Sequence, residues 1–185
     1  MSMDKKQNNF GKIQVYTGDG KGKTTASLGL AIRAASQGFK VGIIYFDKGG
    51  DYYGERKLLK ELEKFNLHYR AFGMPRITEN KGFRFPNIPE DFDEAQKALE
   101  QARQWMADGF DLLILDEINT TVKTGLLKLE DIVNLITQKP ADLELVLTGR
   151  YCPREVLDLA DLVTEMTQVK HYFYQGQKAR KGIEY

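Results

Sequence analysis

From residue 12 onward, short apolar runs alternate with longer stretches whose apolar positions fall three or four apart. Residues 12–16, Lys-Ile-Gln-Val-Tyr, alternate polar and β-branched side chains and predict a strand. Residues 24–37 carry Leu28, Ile32 and Ala35 at helical spacing. Ala26, Ala31 and Ala34 add helix propensity there, and Gly38 marks the end. Strands are predicted again over 41–46, 67–72 and 143–147, and a helix over 55–64. Between Asp91 and Asp108, Phe92, Ala95, Leu99, Ala102 and Met106 share one face of a helix, with Trp105 beside them as core. The unbroken run Leu112-Leu113-Ile114-Leu115 predicts a strand buried on both faces. Strand and helix alternate throughout, so the expected class is α/β, a mostly parallel sheet with helices on both faces. One domain over residues 11–185 is expected behind a flexible segment, residues 1–10.

Thr17-Gly18-Asp19-Gly20-Lys21-Gly22-Lys23-Thr24-Thr25 joins the first strand to the first helix. That context is what a phosphate-binding loop requires. Amides of the turn and of the first helical turn converge on one anion, and the helix dipole favours it. The usual pattern is glycine, four residues, then Gly-Lys-Ser/Thr. Gly22-Lys23-Thr24 fits its second half, but Thr17 stands where the first glycine belongs. Gly18, Gly20 and Gly22 alternate instead, keeping the turn open to positive φ and to close approach of a phosphate. Lys23 is expected exposed on the turn, reaching phosphate oxygens, and the Thr24 hydroxyl a magnesium ion. The fold is therefore expected to be P-loop NTPase-like.

Composition narrows the partners. The chain has 185 residues, with 27 Lys and Arg against 26 Asp and Glu, so no overall field attracts nucleic acid or an anionic membrane. An anionic ligand has to be bound locally. No apolar run nears the roughly 20 residues that span a bilayer. The single cysteine, Cys152, excludes an internal disulfide and a cysteine zinc cluster, and the N-terminus lacks the apolar core of a signal peptide. The cytoplasm is the expected compartment.

Asp116-Glu117, at the end of the buried strand, would deliver carboxylates to the sheet edge where doubly wound proteins bind ligands. In form this is a Walker B strand, its acids holding magnesium beside Thr24. The strand over 143–147 delivers Thr148-Gly149-Arg150 to the same edge. Arg150 is a candidate for a triphosphate contact or for pairing with Asp116.

The loop resembles the TGNGKGKTT loop of the P-loop ATP:corrinoid adenosyltransferases, in which the first Walker glycine is likewise displaced. Phe46-Asp47-Lys48-Gly49 is similar to that family's F-x-K-G, Gly54-Glu55-Arg56 to its G-E-R, Leu115-Asp116-Glu117 to its L-D-E and Thr148-Gly149-Arg150 to its T-G-R. Residues 159–171 resemble its ADLVTEM-x-x-VKH stretch, and Gly182-Ile183-Glu184-Tyr185 its ending. The resemblance covers residues 11–185. It implies a reaction in which Co(I) of a four-coordinate corrinoid attacks C5′ of ATP and triphosphate leaves, in cobalamin synthesis or salvage. ATP and the corrinoid are then substrates, with the γ-phosphate in the loop and Mg²⁺ as cofactor. It further implies a homodimer and leaves room for a reductant protein. The residues implied for the nucleotide are Gly18, Asp19, Gly20, Lys21, Gly22, Lys23, Thr24, Thr25 and Arg150, those for the metal Thr24, Asp116 and Glu117, and those for catalysis Lys23, Thr24 and Glu117. Lys48, Met74, Phe83 and Phe85 are implied on the corrinoid side.

One segment departs from the family. Where its members write G-F-T-W, with aromatics near the corrinoid, this chain reads Phe72-Gly73-Met74-Pro75-Arg76-Ile77. Phe83 and Phe85 would replace the aromatic pair, or the loop over 81–89 is a variable lid. Two other readings stand beside adenosyl transfer: a nucleotide- or corrinoid-binding module without catalysis, and a phosphotransferase or NTPase in which Glu117 orients a water or hydroxyl. His171 reads as a packed or tail-docking residue and Cys152 as a structural thiol. Lys178, Arg180 and Lys181 form a short basic patch that is solvated or meets corrinoid amides or an acidic partner.

Overall fold

The computed structural model describes residues 10–50, 53–78 and 82–185. Six strands, β1 (Ile13–Thr17), β2 (Val41–Tyr45), β3 (Leu67–Ala71), β6 (Leu112–Asp116), β7 (Glu144–Thr148) and β8 (Leu162–Glu165), form one sheet. All its pairs are parallel, in the order β3-β2-β6-β7-β1-β8. The two-residue strands β4 (Ile77–Thr78) and β5 (Gly82–Phe83) pair antiparallel outside it. The helices are α1 (Lys23–Ser36), α2 (Glu55–Leu62), α3 (Pro89–Ala107), α4 (Ile118–Lys123), α5 (Leu129–Thr137) and α6 (Arg154–Leu159). Among the described residues no helix is long and apolar enough to cross a membrane.

The period of two along each strand sorts the core into two layers. Ile44, Leu113, Leu115, Leu145 and Leu147 face one side, where Ala98, Leu99, Ala102, Trp105, Ile132 and Leu135 cover them. Ile43, Tyr45, Leu112, Ile114 and Val146 face the other, under Ala31, Ala34, Ala35 and Leu59. β2, β6 and β7 are buried along their whole length, as strands covered on both faces must be. Trp105 is core as expected and stacks on Phe110 at 4.7 Å between ring centroids. A Cβ at Gly42 would stand 2.6 Å from its ring, so β2 carries glycine where the indole lies on the sheet.

Two helix faces differ from their apolar pattern. On α1 the buried positions are Lys23, Ser27, Ala31, Ala34 and Ala35, while Leu28 is half-buried and Ile32 is 45% exposed. Small side chains let α1 lie close on the sheet, which turns its larger residues outward. On α3 Phe92 is 42% exposed, and the buried residue of that turn is Asp91. Its carboxylate accepts the Ile88 amide at 2.9 Å and binds the Arg84 guanidinium, fixing the helix start.

Sequence periodicity did not announce β8, the β4–β5 pair, or the six- and nine-residue helices α4, α5 and α6. Residues 1–9 of the expected flexible segment lie outside the described residues. Phe10 packs edge-on against Phe39, with ring centroids 4.7 Å apart.

Candidate active site

β7 lies between β1 and β6, with Tyr16 opposite Thr148 and Leu115 opposite Leu147. This register brings the loop after β1, the acids after β6 and Thr148 to one edge of the sheet. At the loop, Gly22 is the N-cap of α1 with φ 124°, no side chain caps the helix, and no acidic residue stands in its first turn. The first-turn amides, which have no carbonyl partner within the helix, therefore face the site with the positive end of the dipole uncompensated.

The alternating glycines have a second cause. A Cβ at Gly18 would stand 2.5 Å from the Met166 carbonyl oxygen, and one at Gly20 would stand 2.6 Å from it and 2.7 Å from that of Thr167. The Gly20 amide donates to Met166 O at 2.6 Å. Gly18 and Gly20 thus make room for the chain leaving β8, and the Gly20 amide is engaged there. Lys23, expected exposed, is 6% exposed and folds back onto the Gly18 and Gly20 carbonyls at 2.6 and 2.8 Å. Burial, then the nearby Arg150 charge, lowers its pKa.

Asp116 is fully buried. One carboxylate oxygen accepts the Thr148 hydroxyl at 2.7 Å, and the other meets Lys48 Nζ at 2.5 Å and the Thr24 hydroxyl at 3.3 Å. Lys48 Nζ also donates to Thr24 Oγ1 at 2.9 Å and lies 3.7 Å from Glu117 Oε1. Burial works against the Lys48 charge, but the Asp116 and Glu117 carboxylates outweigh it and hold the ammonium above its ordinary pKa. Lys48, implied on the corrinoid side by its motif, lies between Thr24, Asp116 and Glu117. Glu117 takes the left-handed φ of 67°, its amide donates to Thr148 Oγ1 at 2.9 Å and its carboxylate accepts the Thr120 hydroxyl at 2.6 Å. Among the described residues no three His, Cys, Asp or Glu side chains gather at one point. A hydroxyl and two carboxylates nevertheless surround an ammonium, an oxygen set that suits a hard cation completed by phosphate and water.

Arg150 does not pair with Asp116. It lies over the loop, with Nη2 3.3 Å from Asp19 O and Nε 3.9 Å from the Asp19 carboxylate. Its amide donates to Thr120 Oγ1 at 3.1 Å, so Thr120 joins the Glu117 and Arg150 turns, a role no motif signalled.

The loop opens into a cavity of about 720 Å³. Lys23, Thr24, Lys48, Glu117 and Arg150 line its polar part; Leu28, Tyr53, Leu58, Ile183 and Tyr185 contribute apolar and aromatic surface. The far wall comes from residues 182–185, and Lys21 turns to it instead of to the polar part, donating to Ile183 O and Glu184 at 2.9 Å each. His171 lines the same cavity, and its Nδ1 accepts the Phe173 amide at 3.1 Å. Of the basic patch, Arg180 folds onto Glu184.

Beyond β3, Met74 is half-buried, Phe85 is 80% exposed, and Phe83 lies on β5 with its side chain outside the described residues. Arg76 stands within the departing segment and binds Asp47 through Nε and Nη2 at 2.9 and 2.8 Å, with Asn87 at 2.9 Å. Burial raises the Asp47 pKa against the pull of Arg76. Cys152 is half-buried and its thiol is pushed up to about 12 by burial, consistent with a structural thiol.

A family model for ATP:corrinoid adenosyltransferase BtuR/CobO/CobP matches residues 9–185. A corrinoid adenosyltransferase of Escherichia coli (strain K12) is 38% identical over 180 residues, covering 97% of this chain and 88% of the relative. Another, of Pseudomonas aeruginosa, is 35% identical over 177 residues, covering 95% and 84%. The solved structure of flagellar accessory protein FlaH from Methanocaldococcus jannaschii has a TM-score of 0.60 at 17% identity, covering 89% of this chain and 77% of that one. That likeness is one of fold, and the sheet is P-loop NTPase-like. Loop, paired acids and tail all fall within the matched span, and the chain belongs to the ATP:corrinoid adenosyltransferase family.

Proposed function

We propose that this chain transfers the 5′-deoxyadenosyl group of ATP to Co(I) of a corrinoid, with the triphosphate seated on the start of α1. The observation that carries this is the uncapped first turn of α1 opening, with Lys23, into the same cavity as Thr24 and Glu117. In the reaction the Co(I) electron pair forms the Co–C5′ bond, the C5′–O5′ bond breaks, and its electron pair leaves on triphosphate. No proton moves, so no side chain need act as base or nucleophile. The chain's tasks are alignment of C5′ and stabilisation of the charge growing on the leaving oxygens. The first-turn amides, Lys23 and Arg150 supply positive charge for that purpose. Thr24, Asp116 and Glu117 would hold Mg²⁺, which neutralises phosphate charge when bound; Lys48 keeps the carboxylates compensated otherwise. Met74, Phe85 and Phe83 would line the corrinoid side. The same reading carries a homodimer, a reductant protein for the Co(II) to Co(I) step and a cytoplasmic location.

The test supplies chemically reduced corrinoid and MgATP, follows adenosylcorrin by absorbance and separates the phosphates by ion chromatography. Triphosphate in step with adenosylcorrin is the expected result. ADP in its place would replace the proposal with phosphoryl transfer, and ATP binding without either product would leave a binding module.

A further inference from the structure

Lys21 sits in the centre of the loop, yet its ammonium points away from the phosphate end. It donates to Glu184 Oε1 and Ile183 O at 2.9 Å and to the Tyr172 hydroxyl at 3.2 Å. Glu184 is held in turn by Arg180, whose amide lies 2.7 Å from Oε2 and whose Nη2 lies 3.2 Å from Oε1, and by the Tyr172 hydroxyl. Arg180, then Tyr172 and Lys21, keep this carboxyl well below the usual carboxylate range, so it stays charged and competes for Lys21 throughout the neutral range. Upstream of this tail the chain leaving β8 is anchored without Lys21: β8 pairs with β1, Met166 N donates to Thr17 O at 2.9 Å and Gly20 N to Met166 O at 2.6 Å.

We propose that Glu184 is a positioning residue that holds the Lys21 ammonium off the triphosphate, keeping the loop's grip loose enough for the leaving group to depart. This rests on the reading that the loop seats the triphosphate. A loop with Lys21 free would carry one more cation beside a polyanion. Free triphosphate has one more anionic oxygen than the triphosphate of ATP, so the added cation would hold product more than substrate. The Glu184 carboxylate removes that bias by taking the ammonium itself.

Inorganic tripolyphosphate and ATP, each titrated calorimetrically with Mg²⁺ into the full chain at two salt concentrations, test the proposal. Glu184→Gln keeps the shape of the side chain and removes its charge. It should tighten tripolyphosphate binding about ten-fold, the worth of one contact to a charged group. The gain for ATP should be smaller, and tripolyphosphate affinity should fall more steeply with salt than in the parent. In a Lys21→Ala background the gain from Glu184→Gln should vanish. Unchanged or weaker tripolyphosphate binding in Glu184→Gln would overturn the proposal. So would a gain that persists without Lys21, because it would come from a displaced tail. Failure of both tripolyphosphate and ATP to bind the parent and Glu184→Gln alike would remove the loop reading itself, and this proposal with it.

Discussion

The Lys48 ammonium stands 2.5 Å from the Asp116 carboxylate, an ion pair that joins the chain leaving β2 to the end of β6. The Lys48 side chain is 15% exposed and that of Asp116 is not exposed at all. Removing one partner leaves the other buried and uncompensated. Lys48→Met is therefore expected to destabilise the chain by about 3 kcal/mol, the low end for breaking a buried pair. Mg²⁺ with ATP should recover part of the loss by supplying a cation to the same oxygens. Urea unfolding with and without MgATP checks both. A loss below about 0.5 kcal/mol would mean that Asp116 is satisfied without Lys48.

Lys23→Ala should separate binding from folding. The two loop carbonyls that Lys23 holds would lose their donor, a loss of about 1–2 kcal/mol. The larger effect is on ligand. At MgATP a hundred-fold above its Kd the parent gains about 2.7 kcal/mol, and the variant should gain almost nothing. Thermal melts with and without MgATP measure the two effects in one experiment, and a full ligand shift in the variant would move the triphosphate elsewhere.

Two glycines in one neighbourhood should respond with opposite sign. Gly20→Ala pushes a methyl into the Met166 and Thr167 carbonyls and should cost about 2 kcal/mol, with faster protease cleavage in residues 167–185. Gly29, on the exposed part of α1, has nothing within 4 Å of an added Cβ, and Gly29→Ala should stabilise by about 0.5–1 kcal/mol. Equilibrium unfolding of both variants decides, and a tolerated Gly20→Ala would mean the tail moves aside freely.

Asp91 gives a pH dependence with a definite sign. Its pKa is depressed by the Arg84 ion pair and, further, by the Ile88 amide. A depressed carboxylate contributes stability that is fully present above the unfolded value, about 3.9, and is lost as pH falls through the folded one. Asp91→Asn should lie below the parent at pH 7, with the gap closing as pH drops below about 4. Unfolding free energies at pH 7, 5 and 3 test this, and a gap that widens in acid would contradict it.

Strand–helix alternation and the placing of the loop between β1 and α1 were legible because both depend on local spacing. Thr24 does face Asp116, as the motif pair requires. Long-range causes were not legible. Gly18 and Gly20 read as space for a phosphate, and their second cause, the chain leaving β8 that meets their Cβ positions, lies about 145 residues away in sequence. Ile32 shares the helical spacing of Leu28 and Ala35 yet is exposed, because spacing gives a face but not how closely that face lies on a sheet, and the alanines won the contact. The Lys48–Asp116 ion pair was not legible either, since nothing in Phe46-Asp47-Lys48-Gly49 shows that β2 ends beside β6. The Glu184–Lys21 contact joins two residues whose local sequence gives no sign of each other.

The position of β1 between β7 and β8 also sets when the loop can exist. β1 is made before its partners, and the residues it pairs with begin at Leu145 and Leu162, about 130 and 150 positions later. During synthesis the loop therefore emerges before β7 and β8 and waits, with neither neighbour of β1 in place, until both have left the ribosome. Closing a connection of that length is the slow, entropically costly event in forming the sheet. A nascent chain stopped before β7 would carry every residue of the loop but neither strand that flanks β1, so on the proposed function capture of ATP would mark a chain with β7 and β8 already in place.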